Sequence, residues 1–346
     1  MDDTDITYDE IQDVLDGILQ NQSFSFADLV HTLFHGEGEM GIPQIIWNIV
    51  KDVVEAVTGQ NRLIFYLLAL ALIGAVFTNF ANMLRKKQVA QTAFYATYML
   101  FFSTLVASYQ VIITETAREL EAVVSFMKAL VPAYFMSLAF ATDAASSAVF
   151  YQLTLLAIGL VEMFLQKVAL PAINIYFVIQ LANQIATEPR MNKMAELIEK
   201  GIHWGLKSIF VFVIGLQVIQ GLVLPEISAA KKNLLIRMGG AVPGVGNTFT
   251  SAAETILSSA SLLKGAIGAA GLLGLTLVCV VPIAKLAFDA LLYYVVEALI
   301  QPVADKRILG SVEGMTASIR LLLHMAAISG ILFFISIAIV STLGRT

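Results

Sequence analysis

Residues 63–84 read LIFYLLALALIGAVFTNFANML and are followed at once by Arg85, Lys86 and Lys87. A run of this length without a charged side chain meets the roughly 20 residues that an α-helix needs to cross about 30 Å of hydrocarbon. A helix satisfies its own backbone groups in lipid; the alternative, a closed β-barrel, needs period-two alternation of apolar and polar residues, and none is visible here. The basic triplet marks the cytoplasmic end of this span, which places the preceding residues outside. A second span, Thr92 to Ile113, returns across the membrane, and an amphipathic stretch from Thr114 to Leu130 follows it.

The rest of the chain has the same character. Of 346 residues, 58% are hydrophobic and 14% charged, with mean hydropathy +0.80. That is more apolar surface than one soluble core can hide. The fold class that follows is all-α, a polytopic helical membrane protein. The net charge of −5 is unevenly placed: no Lys or Arg precedes Lys51, whereas Asp2, Asp3, Asp5, Asp9, Glu10, Asp13, Asp16, Asp28, Glu37 and Glu39 do. Such a head argues against a nucleic-acid partner, and it has none of the blocks of a secretory signal. Within it Ile11, Val14, Leu15, Ile18 and Leu19 fall at helical spacing and give one greasy side. Pro43 to Val57 reads as an amphipathic helix lying on the membrane. Cys279 is the single cysteine, so no internal disulfide forms.

From residue 124 the chain repeats itself. Pro132 and Pro171 recur as Pro243 and Pro282, each 111 positions on (243 less 132, 282 less 171), and Asp143 aligns with Glu254 at the same offset. After a two-residue slip, Pro189, Lys193, Gly201 and Lys207 align with Pro302, Lys306, Gly314 and Arg320. An ordered set of this kind points to duplication, a common route to transporters and channels. Four regions follow: residues 1–58, an acidic extracytoplasmic head with interfacial helices; 59–123, two N-terminal transmembrane helices; 124–230, a first membrane repeat; and 231–346, a second. Each repeat reads as a short Pro-led segment, two long apolar helices, an amphipathic connector and a final span. The short segments Pro132 to Thr142 and Pro243 to Ala253 are too brief to cross, and are candidates for re-entrant helices. Whether the copies are parallel or inverted turns on the parity of crossings in each, which the sequence leaves open.

Lys285, Asp289, Tyr293 and Glu297 recur every fourth residue and form one polar stripe on an apolar helix. Ionisable groups in a span face a bundle interior or a water path and pair with one another, so Lys285 and Asp289 are an expected internal ion pair. The stripe serves either as packing glue or as a pore lining. Asp143 and Glu254 each follow a Pro-led segment among small residues, where an acid suits a helix N-terminus or a hairpin tip that meets an ion. Pro132, Pro171, Pro243 and Pro282, with Gly244 and Gly246, are the helix-breaking positions that expose backbone at membrane depth. Gly265, Gly268, Gly271 and Gly274 let another backbone come close. Arg320 with His324, and Glu162 with Lys167, read as interface anchors or pairs. His31 and His35 share a helix face, but the Glu of a zinc-protease helix and a third ligand are missing, so no metal is expected. Hydrolase and dinucleotide motifs are missing too, so neither catalytic residues nor a cofactor are expected.

Ala241-Val242-Pro243-Gly244-Val245-Gly246, Leu263-Lys264-Gly265-Ala266-Ile267-Gly268, Val281-Pro282-Ile283 and Ile300-Gln301-Pro302-Val303-Ala304-Asp305-Lys306-Arg307 come in order, with Phe126 to Pro132 and Ala169-Leu170-Pro171 before them. In that set the chain resembles the stage III sporulation protein AE family, over about residues 40 to 343. The resemblance implies a multi-pass protein of the mother-cell membrane facing the forespore. Its implied partners are other stage III A sporulation proteins and, through the complex, forespore protein Q. Together they would form a channel or feeding tube required for endospore development. The resemblance brings no catalytic residue or cofactor, sets the chain in membrane lipid, and leaves room for a homo-oligomer. Two other classes compete: a stand-alone secondary transporter of a small solute, drawn from the repeats and the Lys285–Asp289 stripe, and a scaffold that conducts nothing.

Overall fold

A computed structural model of the chain describes residues 8–18, 25–35, 51, 69, 87–141, 144–185, 191–240, 246–302 and 304–342. Every element among these residues is helical. Nearly all of the span at 63–84 and of the interfacial stretch at 43–57 lies outside the described residues, as do Asp143, Pro243 and Gly244.

Two short helices carry the acidic head, α1 (Asp9–Ile18) and α2 (Phe26–His35). Ser25 caps α2, its Oγ accepting the Asp28 N–H at 3.1 Å, which satisfies one of the orphan donors of the first turn. The Phe26 N–H donates to Gln12 Oε1 at 2.8 Å, tying α2 to α1. The expected greasy side is real: Ile11 and Leu15 are buried and Val14 packs beside them. It does not face a separate surface, because α1 packs on the first long helix of the membrane bundle and α2 on the fourth.

The bundle is built from α3 (Lys87–Ala141), α4 (Ala144–Phe164), a π-helical turn (Leu165–Ala169), α5 (Leu170–Ile185), α6 (Asn192–Gly240), α7 (Gly246–Ile300) and α8 (Lys306–Thr342). Five stretches are long and apolar enough to cross a membrane: Tyr98–Ala139, Ser147–Gln184, Asn192–Gln220, Ser261–Ile300 and Lys306–Ile339. The chain is therefore a polytopic helical membrane protein, as its composition requires.

Several expected breaks are absent. Thr92 to Ile113, the amphipathic Thr114 to Leu130 and the segment from Pro132 form the single helix α3. The middle of α3 is rich in Ala, Glu, Arg and Leu, which favour helix, and Pro132 removes one backbone bond from a rod held by packing on either side of it. Pro282 likewise lies within α7, so the paired apolar helices expected in each repeat are one rod. At Pro171 the response differs: the preceding turn widens, with the Leu170 N–H reaching back to the carbonyl of Leu165. Lys231 to Arg237 continues α6, and Pro243 to Ala253 is not a separate helix because α7 begins at Gly246. Residues 123 and 230 thus fall inside helices.

Contacts fix the directions. As the contact on α3 moves from Ser108 through Glu115 and Phe126 to Tyr134, its partner on α7 moves from Tyr293 through Lys285 and Gly274 to Lys264. The two helices are antiparallel. The rod α4–α5 is also antiparallel to α3, since Tyr151 meets Phe135 at one end and Phe177 stacks on Tyr109 at the other. By contrast α6 and α8 run parallel, joined at His203–His324 and again at Gln217–Ser336. The helices that the expected duplication pairs therefore point the same way: α4–α5 with α7, and α6 with α8.

At about 1.5 Å per residue, α3 and α7 are each roughly 80 Å long, far more than one hydrocarbon layer. The bundle accordingly has two halves. In the half holding α3 residues 120–141, many outward side chains are apolar, among them Met136, Leu156, Phe212, Ile219, Ile331 and Phe334, beside exposed Glu121, Lys128 and Gln152. In the other half, exposed Leu100 and Leu299 alternate with Lys193, Lys200, Lys306 and Glu313. Both halves expose apolar side chains, but exposed charges are fewer on the first, which is the better suited of the two to lipid.

At the far end of α5 the chain turns into α6 on a buried amide. Asn183 accepts the Met191 N–H at 3.1 Å and donates to Asn192 Oδ1 at 3.0 Å. Asn183→Ala leaves that N–H without its acceptor, and is expected to destabilise the turn by about 1–2 kcal/mol. Faster amide exchange at Met191, with α3 and α7 unchanged, is the readout; unchanged exchange would show that the turn holds without the amide.

Candidate functional site

The polar stripe on α7 faces α3. Tyr293 is buried and shares a hydrogen bond of 2.6 Å with Ser108. One turn back, Asp289 is also buried, and Lys285 makes a partly buried salt bridge with Glu115 of α3. Glu297 lies half-buried near the end of α7. The sequence pairs Lys285 with Asp289; the structure turns its ammonium across to a helix that the stripe itself does not reveal. The missed signal was the matching periodicity of α3. Ser108, Glu115 and Glu119 fall at i, i+7 and i+11, one helix face, and two complementary stripes on antiparallel helices meet rung by rung.

Beside this seam lies a cavity of about 10 Å³ between α3, α7 and α8, lined by Thr116, Glu119, Cys279, Pro282, Ala326 and Ser329. It has room for about one water. Pro282 has no N–H to offer the carbonyl of Val278, and Ser329 spends its hydroxyl on the Ala326 carbonyl at 3.0 Å. Three acids, Glu115, Glu119 and Asp289, thus gather around one lysine at the edge of the lipid-suited half. The arrangement joins helices by charge.

Farther along α7, Gly271 and Gly274 face α3 so closely that an added Cβ would come within 2.6 Å of Leu130 and 2.7 Å of Phe126. Gly265 faces open space. Lys264 is buried over the Tyr134 ring at 5.9 Å from its centre, and makes no salt bridge among the described residues. The pairs expected at membrane edges resolve differently. Glu162 bonds Lys128 of α3 at 2.6 Å, and His324 meets His203, with ring centres 4.8 Å apart. Tyr176 of α5 accepts from Gln180 at 2.9 Å and donates to Glu199 of α6 at 3.3 Å.

Asp143 lies outside the described residues, and Glu254 is placed in the first part of α7, as is Gly246 at its start. His31 and His35 fall in the last turns of α2. Among the described residues no group of three or more His, Cys, Asp or Glu is placed to hold a metal ion.

Comparison with known proteins returns one family. The family model described as stage III sporulation protein AE matches residues 24–344. A relative named stage III sporulation protein AE, from Bacillus subtilis (strain 168), is 23% identical over 292 residues, covering 84% of this chain and 73% of the relative. No solved structure matches.

Proposed function

The chain belongs to the stage III sporulation protein AE family, and from that membership we propose that it is an integral membrane component of the channel complex joining mother cell and forespore, required for endospore development. The observation that carries this reading is the family match over residues 24–344. The five apolar helices agree with an integral membrane role. In this reading the protein sits in the mother-cell membrane facing the forespore. Its partners are other stage III A proteins and, through the complex, forespore protein Q. Lys285, Asp289 and Tyr293 act as interhelical glue, because all three face α3.

The test is genetic. A clean deletion is expected to stop spore development after engulfment and to be restored by the intact gene supplied elsewhere. Spore yield equal to that of the parent strain would sink the proposal.

A further inference from the structure

We propose that the outward polar face shared by α3 and α4 is the contact through which two copies of this chain associate side by side in the membrane. Lys128 and Glu162 form their bridge on the outside of the bundle, with side chains 46% and 30% exposed. Lys128 stands 13 residues from Glu115 and 13 from Ala141, so about 20 Å from the charged seam and about 20 Å from the end of α3. That position lies inside the Tyr98–Ala139 stretch, as Glu162 lies inside Ser147–Gln184, both long and apolar enough to cross a membrane, among exposed apolar residues such as Met136, Leu156 and Met163. Ionisable groups at membrane depth face a protein interior or water, and a lone protomer would turn this pair toward acyl chains.

The backbone of the same two elements adds a second polar feature. Pro132 has no N–H for the carbonyl of Lys128, and Pro171 offers no donor to the π turn before it. Toward the charged seam the same two elements also expose Arg118 and Glu121 on α3 and Lys167 on the π turn. The signs are mixed, two acids with three bases, so neither an anionic headgroup nor a cation is served throughout. A second copy serves every position. Two chains inserted in the same direction are related by an axis along the membrane normal, which holds each residue at its own depth. Lys128 and Glu162 already share one depth, so each can meet the other across such an axis, twice over. The inference is independent of what the wider complex does.

The test uses the full chain in membranes of a host lacking other sporulation proteins. In a Cys279→Ala background, Ser125→Cys, half-buried on α3 beside this face, should form a disulfide-linked product of twice the chain mass on mild oxidation. Val211→Cys, 61% exposed on α6, should not. A product of any other mass, or none from Ser125→Cys, overturns the proposal. A second arm uses two tagged chains, Lys128→Glu and Glu162→Lys. Each gathers like charges against its own copy but opposite charges against the other. Mixed pairs should be recovered at least about tenfold more than either chain with itself, since like charges held together in an interface cost more than that factor. Equal recovery of like and mixed pairs also overturns it.

Discussion

Gly274→Leu is expected to destabilise the bundle by about 2–3 kcal/mol, because it drives a side chain into a helix contact already at its limit. A Cβ at this position would lie 2.7 Å from the Phe126 ring, which is fully buried. Gly271 meets Leu130 one turn away in the same manner, so α7 cannot yield at 274 without losing its fit at 271. Gly265→Leu is the control, since nothing lies within 4 Å of a Cβ there; its effect should stay within about 0.5 kcal/mol. Unfolding of the purified protein in detergent, followed by loss of helical signal, separates the two. Equal midpoints for Gly274→Leu and Gly265→Leu would mean that close approach does not hold α3 to α7.

Lys285→Met should have a similar cost by a different mechanism. It removes the one base from a group that includes Glu115 of α3 and buried Asp289. Breaking a buried pair by deleting one partner costs about 3–5 kcal/mol. Here the side chains of Lys285 and Glu115 are 21% and 35% exposed, so solvent screening lowers the expected loss to about 2–3 kcal/mol. The cause is separable by a double-mutant cycle. Glu115→Gln added to Lys285→Met should restore at least about 1 kcal/mol, because the orphaned charge is gone. Asp289→Asn added instead should restore less. If Asp289→Asn is the better rescuer, the lysine's main partner is on its own helix and the interhelical bridge is secondary.

These two experiments divide what was legible from what was not. The glycines of α7 read as a close-packing surface from composition alone, but the sequence weighted Gly265 and Gly274 equally. Which of them meets a neighbour depends on the angular setting of α7 against α3. The polar stripe at Lys285, Asp289 and Tyr293 was legible because helical spacing is a local property. Its partner was not, because Glu115 and Ser108 are 170 and 185 residues away, Ser108 in a stretch read as a membrane span and Glu115 in the amphipathic stretch after it. Separation in sequence also hid the His203–His324 contact, and Glu162, read as an edge anchor, is the partner of Lys128, 34 residues away.

Proline misled in one direction only. Each Pro was expected to break a helix, since proline removes a donor and crowds the preceding turn. Pro132 and Pro282 instead sit inside long rods, and Pro171 follows a widened turn. In a packed bundle the neighbouring helices hold the rod on both sides of the missing bond, so the local rule yields to tertiary support.

Sequence by itself determined the medium and the class of structure. A chain this apolar belongs in lipid, and lipid admits the helix because each segment closes its own backbone bonds. It also determined the polar periodicity of α7. Only the tertiary structure decided where helices continue, which way they run, and which charges meet. Those outcomes depend on pairs of surfaces brought together from distant parts of the chain, and the spacing within one segment carries no record of the face it will find.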